Sequence, residues 1–399
     1  MPKSKSIVVA PAANSRSATL LSLPQFPRHV ARDSNETPGR INCHPLLSQM
    51  RPLLDLEGIK HIKPPSLPSP MAWSSSSLKL FRKCKRKFYW RYIARLRPRY
   101  KAGALLVGIA FHEALGSWYK SPSAPMLRIA ERICSAAEAE ALVAADYYGE
   151  DEWDKLSTTL RTLRGMLAGY TQVYGDERRA WRYDRRHVEV PFNIEVDPGR
   201  VNFVGKIDLV ANVPLRSMPK KRRIMVVEHK TASRIGESYA DRLPLDTQCR
   251  GYIYGCAKGL NLWPSEVLYD VVRKCQLRKK KDESTEDFNE RIALDYASRP
   301  SHYFYREDLM FDRGDIRAFE FELIQAQAEL EAIYGAPGAL DPRAWMPNDA
   351  TCNEYFTNCP YLQLCQIGLD RGTAMHFTQS DRSNASELVD ELTAANPDE

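Results

Sequence analysis

Val204-Gly-Lys-Ile-Asp208-Leu-Val210 and Ile224-Met-Val-Val-Glu228-His229-Lys230-Thr231 decide how this chain is read. Both are short apolar runs rich in β-branched residues. The basic interval between them carries Pro214 and Pro219, so they read as paired strands joined by an exposed loop. Ile224–Val227 is apolar on both faces, as expected of a central strand with a layer on each side. The strand period of two then puts Glu228 and Lys230 on one face and His229 on the other. Asp208 closes the apolar run of the partner strand, so two carboxylates converge at the strand ends. Anions held together away from water need a compensating cation, and a divalent metal is the usual one. The plainer alternatives are a hairpin with a charged edge, or a Lys230–Glu228 ion pair and nothing more.

At 399 residues the chain accommodates one large domain or two ordinary ones. Charged residues make up 27% and hydrophobic ones 43%, the balance of a soluble globular protein. No run of roughly eighteen apolar residues suggests a membrane span, and no secretory leader pattern is expected. The net charge of +7 informs only through its clustering. Nine cysteines without dense regular spacing fit a reducing, cytoplasmic setting with some metal-binding thiols better than a disulfide framework.

Residues 1–70, rich in Ser, Pro, Ala, Asn and Arg, are expected to form a flexible extension, and residues 380–399 a frayed tail. Order is expected from Ser74–Ser77, one of which caps a helix starting near Leu78 with Leu78, Phe81, Phe88 and Tyr92 along one stripe. Eleven Lys or Arg and no acidic residue lie between Lys79 and Lys101, interleaved with Phe88, Tyr89, Trp90 and Tyr92. A solvated helix face is the ordinary fate of such a run; a surface for a phosphate backbone is the favoured reading. Farther on, Phe111, Leu115 and Trp118 keep helical spacing, with His112 on an adjoining face. Such a histidine, taken alone, is more commonly a packing residue. Residues 126–148 and 155–174 read as two scaffold helices inserted into the core, and 187–196 alternate as a half-buried strand. Asp246 or Thr247 can cap a helix on which Gln248 and Tyr252, four apart, share one face. A strand over 266–275, a helix over 284–298, a strand around Tyr303–Tyr305 and a long helix over 314–334 follow. Cys352, Cys359 and Cys365 are separated by six and five residues. That spacing differs from the closely paired cysteines of structural zinc sites and suits a cluster held by loops, with a fourth thiolate from elsewhere.

Together these motifs resemble the RecB-type branch of the PD-(D/E)xK nuclease superfamily, in particular its AddB-like, iron–sulfur members and related phage exonucleases. The resemblance spans 71–368. It runs through Ser74…Phe81-Arg-Lys-Cys84…Phe88-Tyr-Trp-Arg-Tyr92, Gly108-Ile-Ala-Phe-His112-Glu113, Gly205-Lys-Ile-Asp208, Val227-Glu228-His229-Lys230-Thr231 and Gln248-Cys-Arg-Gly-Tyr252 to the three late cysteines. It implies an α/β fold with a restriction-endonuclease-like mixed sheet flanked by helices, a helical insertion at 126–174 and a cysteine-held cap at 352–365. It also implies that His112, Asp208 and Glu228 bind Mg2+ or Mn2+ with the His229 carbonyl, that Lys230 sits beside the attacking water, and that Gln248 and Tyr252 orient the site or the strand. Cys84, Cys352, Cys359 and Cys365 would hold a [4Fe–4S] cluster, with Zn2+ as the substitute.

The implied activity is metal-dependent DNA cleavage, exonucleolytic, in replication, recombination or repair in a bacterium or phage-infected cell, with DNA ends as substrate and a helicase or recombination protein as associate. Hard cations prefer carboxylate and carbonyl oxygens, one imidazole shifts the preference toward Mn2+, and proximity to the cation would depress the pKa of Lys230. Ligation of Cys84 with cysteines near 360 would close a very long loop, a structural rather than redox role. The competing class is a DNA-binding protein with the same cysteine-held fold and no turnover. Retention of Asp208, Glu228 and Lys230 argues against it.

Overall fold

The computed structural model describes residues 61–63, 72–99, 103–121, 123–143, 150–214, 220–235, 238–264, 266–354 and 357–380. The extension expected over 1–70 lies outside them except for 61–63, as does the tail beyond residue 380. In chain order the first half contributes β1 (Ala72–Trp73), α1 (Ser75–Lys83), α2 (Lys85–Phe88), β2 (Leu96–Pro98), α3 (Gly103–Lys120), α4 (Met126–Val143) and α5 (Glu150–Ala180). The sheet strands β3 (Val188–Asp197), β4 (Val201–Pro214) and β5 (Arg222–Ala232) follow. Then come α6 (Ser238–Asp241), α7 (Thr247–Gly259), β6 (Glu266–Arg273), α8 (Thr285–Ser298), α9 (Pro300–Tyr303), β7 (Phe304–Met310) and α10 (Arg313–Tyr334).

Six of these strands make one mixed sheet in the order β1-β4-β5-β6-β7, with β3 also paired to β4. The β1–β4 and β5–β6 pairs are parallel, and β3–β4, β4–β5 and β6–β7 are antiparallel. The central strands carry apolar side chains on both faces, so each face must be covered. On one side Val226, Val267, Val271 and Leu309 pack with Ile253 of α7 and Phe319 and Leu323 of α10. On the other, Val227, Leu268 and Val272 pack with Phe111 of α3, Leu163 and Leu167 of α5 and Ile292 of α8. The expected α/β sandwich is thus present, and α5 is one of the helices that covers the sheet.

Gly165 lets α5 approach α8 closely. A Cβ there would come within 2.7 Å of the Asn289 carbonyl oxygen and the Ile292 side chain, nearer than real atoms pack.

One sequence expectation about the opening segment is corrected. Ser74 does cap the first helix, in a reciprocal capping box with Ser77, but the helix does not run on to Tyr92. Cys84 leaves it in extended conformation, starts α2, and a π-turn over Tyr89–Ile93 follows. The basic run is also partly taken up within the fold. Lys79 pairs with Asp246 at 2.8 Å, Arg82 with Glu322 at 2.7 Å, Lys85 with Glu329 at 2.8 Å, and Lys83 with Glu354. Phe88, Tyr89 and Trp90 are fully buried, where they pack with Trp73, Phe81 and Trp345 and present no face to a base. Apolar surface of that size is worth more inside the core than as a stacking platform.

Candidate active site

The β4–β5 register pairs Leu209 with Val227, so one step further Asp208 and Glu228 stand across from each other at the hairpin's open end. Parallel pairing of β5 with β6 then sets His229 beside Asp270. On the other flank β3 meets β4 with Val188 opposite Leu209 and Val190 opposite Ile207, which brings Glu189 against Asp208. Glu189 holds a left-handed backbone, φ 53°, costly for a residue with a Cβ and commonest at functional positions. The core-facing parity of β4 switches at the same level: Phe203 and Ile207 face the α7/α10 side, Leu209 and Ala211 the α3/α5 side.

Helix α3 delivers His112 to this point, its Nδ1 lying 3.1 Å from Asp208 Oδ2. The same oxygen accepts the His229 backbone N–H at 3.0 Å. His112, Glu189 and Asp208 each offer a ligand atom within 4.8 Å of the other two. Glu228 is instead drawn to Lys230, which shares its strand face and contacts Oε1. The N-cap of α7 is Asp246, whose Oδ1 accepts the Gln248 and Cys249 amides at 2.8 and 3.1 Å. That fixes the helix so that Gln248 Nε2 donates to the Tyr252 hydroxyl at 2.8 Å. His112, Glu189, Lys206, Asp208, Lys230, Gln248 and Tyr252 line one cleft of about 930 Å3. Glu228 is fully buried and reaches that lining through its contact with Lys230.

The charges bear directly on metal binding. Burial and the charge of Asp208 push Glu189 up, and the same two causes push Glu228 up. Burial also opposes ionisation of Asp208, but His112 and Lys230 outweigh it and hold Asp208 well below the usual carboxylate range. Burial would lower His112; the charge and hydrogen bond of Asp208 prevail and raise it. Lys230 is raised too, because Glu228 and Asp208 outweigh its desolvation. The carboxylates that dominate its surroundings set that direction.

A divalent cation fits these residues. Beyond Lys230, neither buried oxygen of Glu228 has a hydrogen-bond donor among the described residues. Glu189 and Asp208 face each other, with Lys206 3.5 Å from Glu189. The donors that these residues offer an ion are hard oxygens with one imidazole.

The side chain of His229 turns away from the cleft, as the strand period requires. Its Nδ1 lies 3.1 Å from the fully buried Asp270, its ring stacks on Tyr119 at 5.7 Å, and Tyr170 donates to Asp270 at 2.6 Å. Only its backbone reaches the cleft side, through the N–H that Asp208 accepts. The four cysteines form a separate group. Cys84 Sγ accepts the amides of Lys87 and Asn348 at 3.5 and 3.4 Å. Burial, together with the nearby thiols of Cys359 and Cys84, raises the pKa of Cys352 and Cys365. Among the described residues, no three of these sulfurs come within 4.8 Å of one another.

Glu189 is the residue that the sequence reading missed. It stood inside the strand expected over 187–196, and only the register with β4 singles it out. The PD-(D/E)XK nuclease superfamily model matches residues 72–366, from β1 through the last of the three late cysteines. No curated protein aligns with the chain significantly. With that match covering most of its length and its carboxylates, histidine and lysine gathered in one cleft, the chain belongs to the PD-(D/E)XK nuclease superfamily.

Proposed function

We propose that the protein is a deoxyribonuclease that hydrolyses phosphodiester bonds with Mg2+ or Mn2+, working inward from a strand end. The observation that carries this reading is the convergence of His112, Glu189 and Asp208 within 4.8 Å, beside a buried Glu228. His112, Asp208, Glu189 and Glu228, with the His229 carbonyl, would hold the cation. When bound, it lowers the pKa of a ligated water and polarises the phosphoryl oxygen. Lys230 orients the nucleophile and offsets charge that grows on the phosphate. Gln248 and Tyr252, tied to each other and anchored by the Asp246 cap, keep the cleft wall in place for the strand. Exonucleolytic action rests on the resemblance to RecB-type enzymes. Eight described cysteines, all free thiols, support a reducing cytoplasmic setting.

End-labelled single- and double-stranded DNA incubated with Mn2+ should be degraded, stepwise from one end, and EDTA should stop it. Asp208→Asn should lose cleavage by about two to three orders of magnitude while binding DNA in Ca2+ as the parent does. Degradation that persists in EDTA or in the variant would place the chemistry elsewhere.

The thiols at Cys84, Cys352, Cys359 and Cys365 are proposed to hold a [4Fe–4S] cluster. A tetrahedral zinc site would draw all four sulfurs to within about 4 Å of one another, closer than any three of them lie among the described residues, whereas a cluster offers each thiolate its own iron and holds them farther apart. The wider spacing and the amides aimed at Cys84 Sγ support iron. Anaerobically purified protein should be brown, and Cys359→Ser should lose the colour and melt lower. One equivalent of zinc and no iron would refute the assignment. Cleavage should be insensitive to dithionite, as befits a structural fastening.

A further inference from the structure

Beside the catalytic cleft, where α3 ends and α4 begins, lies a second cavity of about 490 Å3. Ser117, Lys120 and Ser121 line it from one side, and Arg128 and Arg132 from the other. Ser117 and Lys120 also line the catalytic cleft, so the two hollows adjoin. The residue spacing explains the arrangement. Arg128 and Arg132 are one turn apart on α4, and Ser117 and Ser121 are one turn apart at the end of α3. Arg132 Nη2 lies 3.3 Å from Ser117 Oγ, which holds that guanidinium at the junction. Among the described residues the lining holds three cations and two hydroxyls and no carboxylate. The opening segment is the opposite case, since several of its cations face acidic partners.

We propose that this second cavity is a phosphate subsite, which holds a phosphate of the substrate strand next to the one being cut. This rests on the nuclease reading and adds a direction for the strand: from the catalytic cleft across Lys120 toward α4. Guanidinium groups suit phosphate because their planar forks donate two parallel hydrogen bonds, and serine hydroxyls commonly add to such contacts. A terminal monophosphate and an internal phosphodiester share this chemistry.

The test compares the full chain with an Arg128→Gln/Arg132→Gln double variant. Both side chains are exposed, so the fold should survive, and circular dichroism would check it. Binding of single-stranded oligonucleotides in Ca2+ is measured across a salt series, and cleavage in Mn2+. The variant should bind about tenfold more weakly, with a salt slope shallower by about 0.7 for each phosphate it no longer neutralises. Its kcat at saturating DNA should stay within about twofold. A terminal source would make the parent prefer phosphorylated over hydroxyl ends and the variant indifferent; an internal source would weaken both equally. Unchanged affinity and salt slope, or a fall in kcat with affinity kept, would overturn the proposal. If the parent cut no DNA the nuclease reading would fail, and the binding series would still decide the subsite. Lys120→Gln, outside the Arg pair, should show a smaller change of the same kind.

Discussion

Glu228→Gln is expected to abolish cleavage, by about three orders of magnitude, and to make the metal-free protein more stable at pH 8. The two effects share one cause. Glu228 is fully buried, and burial with the neighbouring charge of Asp208 pushes its carboxyl up to about 7 from an ordinary 4.5, despite Lys230. The folded state then binds more protons here than the unfolded chain does. Its contribution is therefore fully present below pH 4.5 and is lost as pH rises toward 7. Glutamine keeps the shape and never ionises, so it escapes that loss. Melting in EDTA should show the parent falling from pH 5 to pH 8 relative to the variant. Mn2+ should reverse the order. It binds the ionised site, so its stabilisation of the parent should grow with pH, reaching about 2.7 kcal/mol at a hundredfold excess over Kd, or roughly 5 °C. The variant should gain little. Equal Mn2+ shifts for both proteins would remove Glu228 from the metal site.

Arg306→Ala should cost about 3–5 kcal/mol, roughly 10 °C of melting temperature. Asp270 is inaccessible to water, and the Arg306 fork neutralises it, with Nε at 3.0 Å from Oδ1 and Nη2 at 3.2 Å from Oδ2. The guanidinium also lies 3.5 Å over the Tyr174 ring and pairs with Glu177, so β7, β6 and α5 share one charge centre. Burial alone would raise Asp270; Arg306 outweighs it and holds the carboxyl well below its usual range, aided by His229. In the parent that stabilisation is present above the unfolded pKa and is lost as pH falls. Without Arg306 the carboxyl is expected to rise above its unfolded value, so the deficit should be largest near pH 7 and shrink below about pH 4. Arg306→Lys should rescue only partly, because an ammonium cannot make the forked contact. A loss under about 1 kcal/mol, or one independent of pH, would mean that something other than Arg306 neutralises Asp270.

What could be read from the residues depended on the length scale of the cause. The common face of Glu228 and Lys230, the outward turn of His229, the Asp246 cap and the Gln248–Tyr252 pair follow from neighbours within four positions, and the structure shows each of them. Glu189 was hidden by a single irregularity. The β3–β4 register shifts between Glu195 and Asp197. Counted straight back from the turn, Val190 would oppose Asp208; the bulge moves the match to Glu189. Part of the basic run was hidden for a different reason: the acidic partners of four of its cations arrive from far away, Glu322 240 residues after Arg82 and Glu354 271 residues after Lys83. Composition along the chain carries no trace of such meetings.

The closure between the chain's opening and late segments has a consequence for how the protein is made. Trp73 waits for Gln327, Tyr89 for Leu340, Arg86 for Trp345, and Leu96 for Tyr361 and Gln379. On the ribosome, this aromatic cluster is therefore made well before the segments that shelter it, with most of the sheet synthesised in between. Contacts that span so much sequence form slowly, and a nascent chain in that state shows its stickiest side chains to its surroundings.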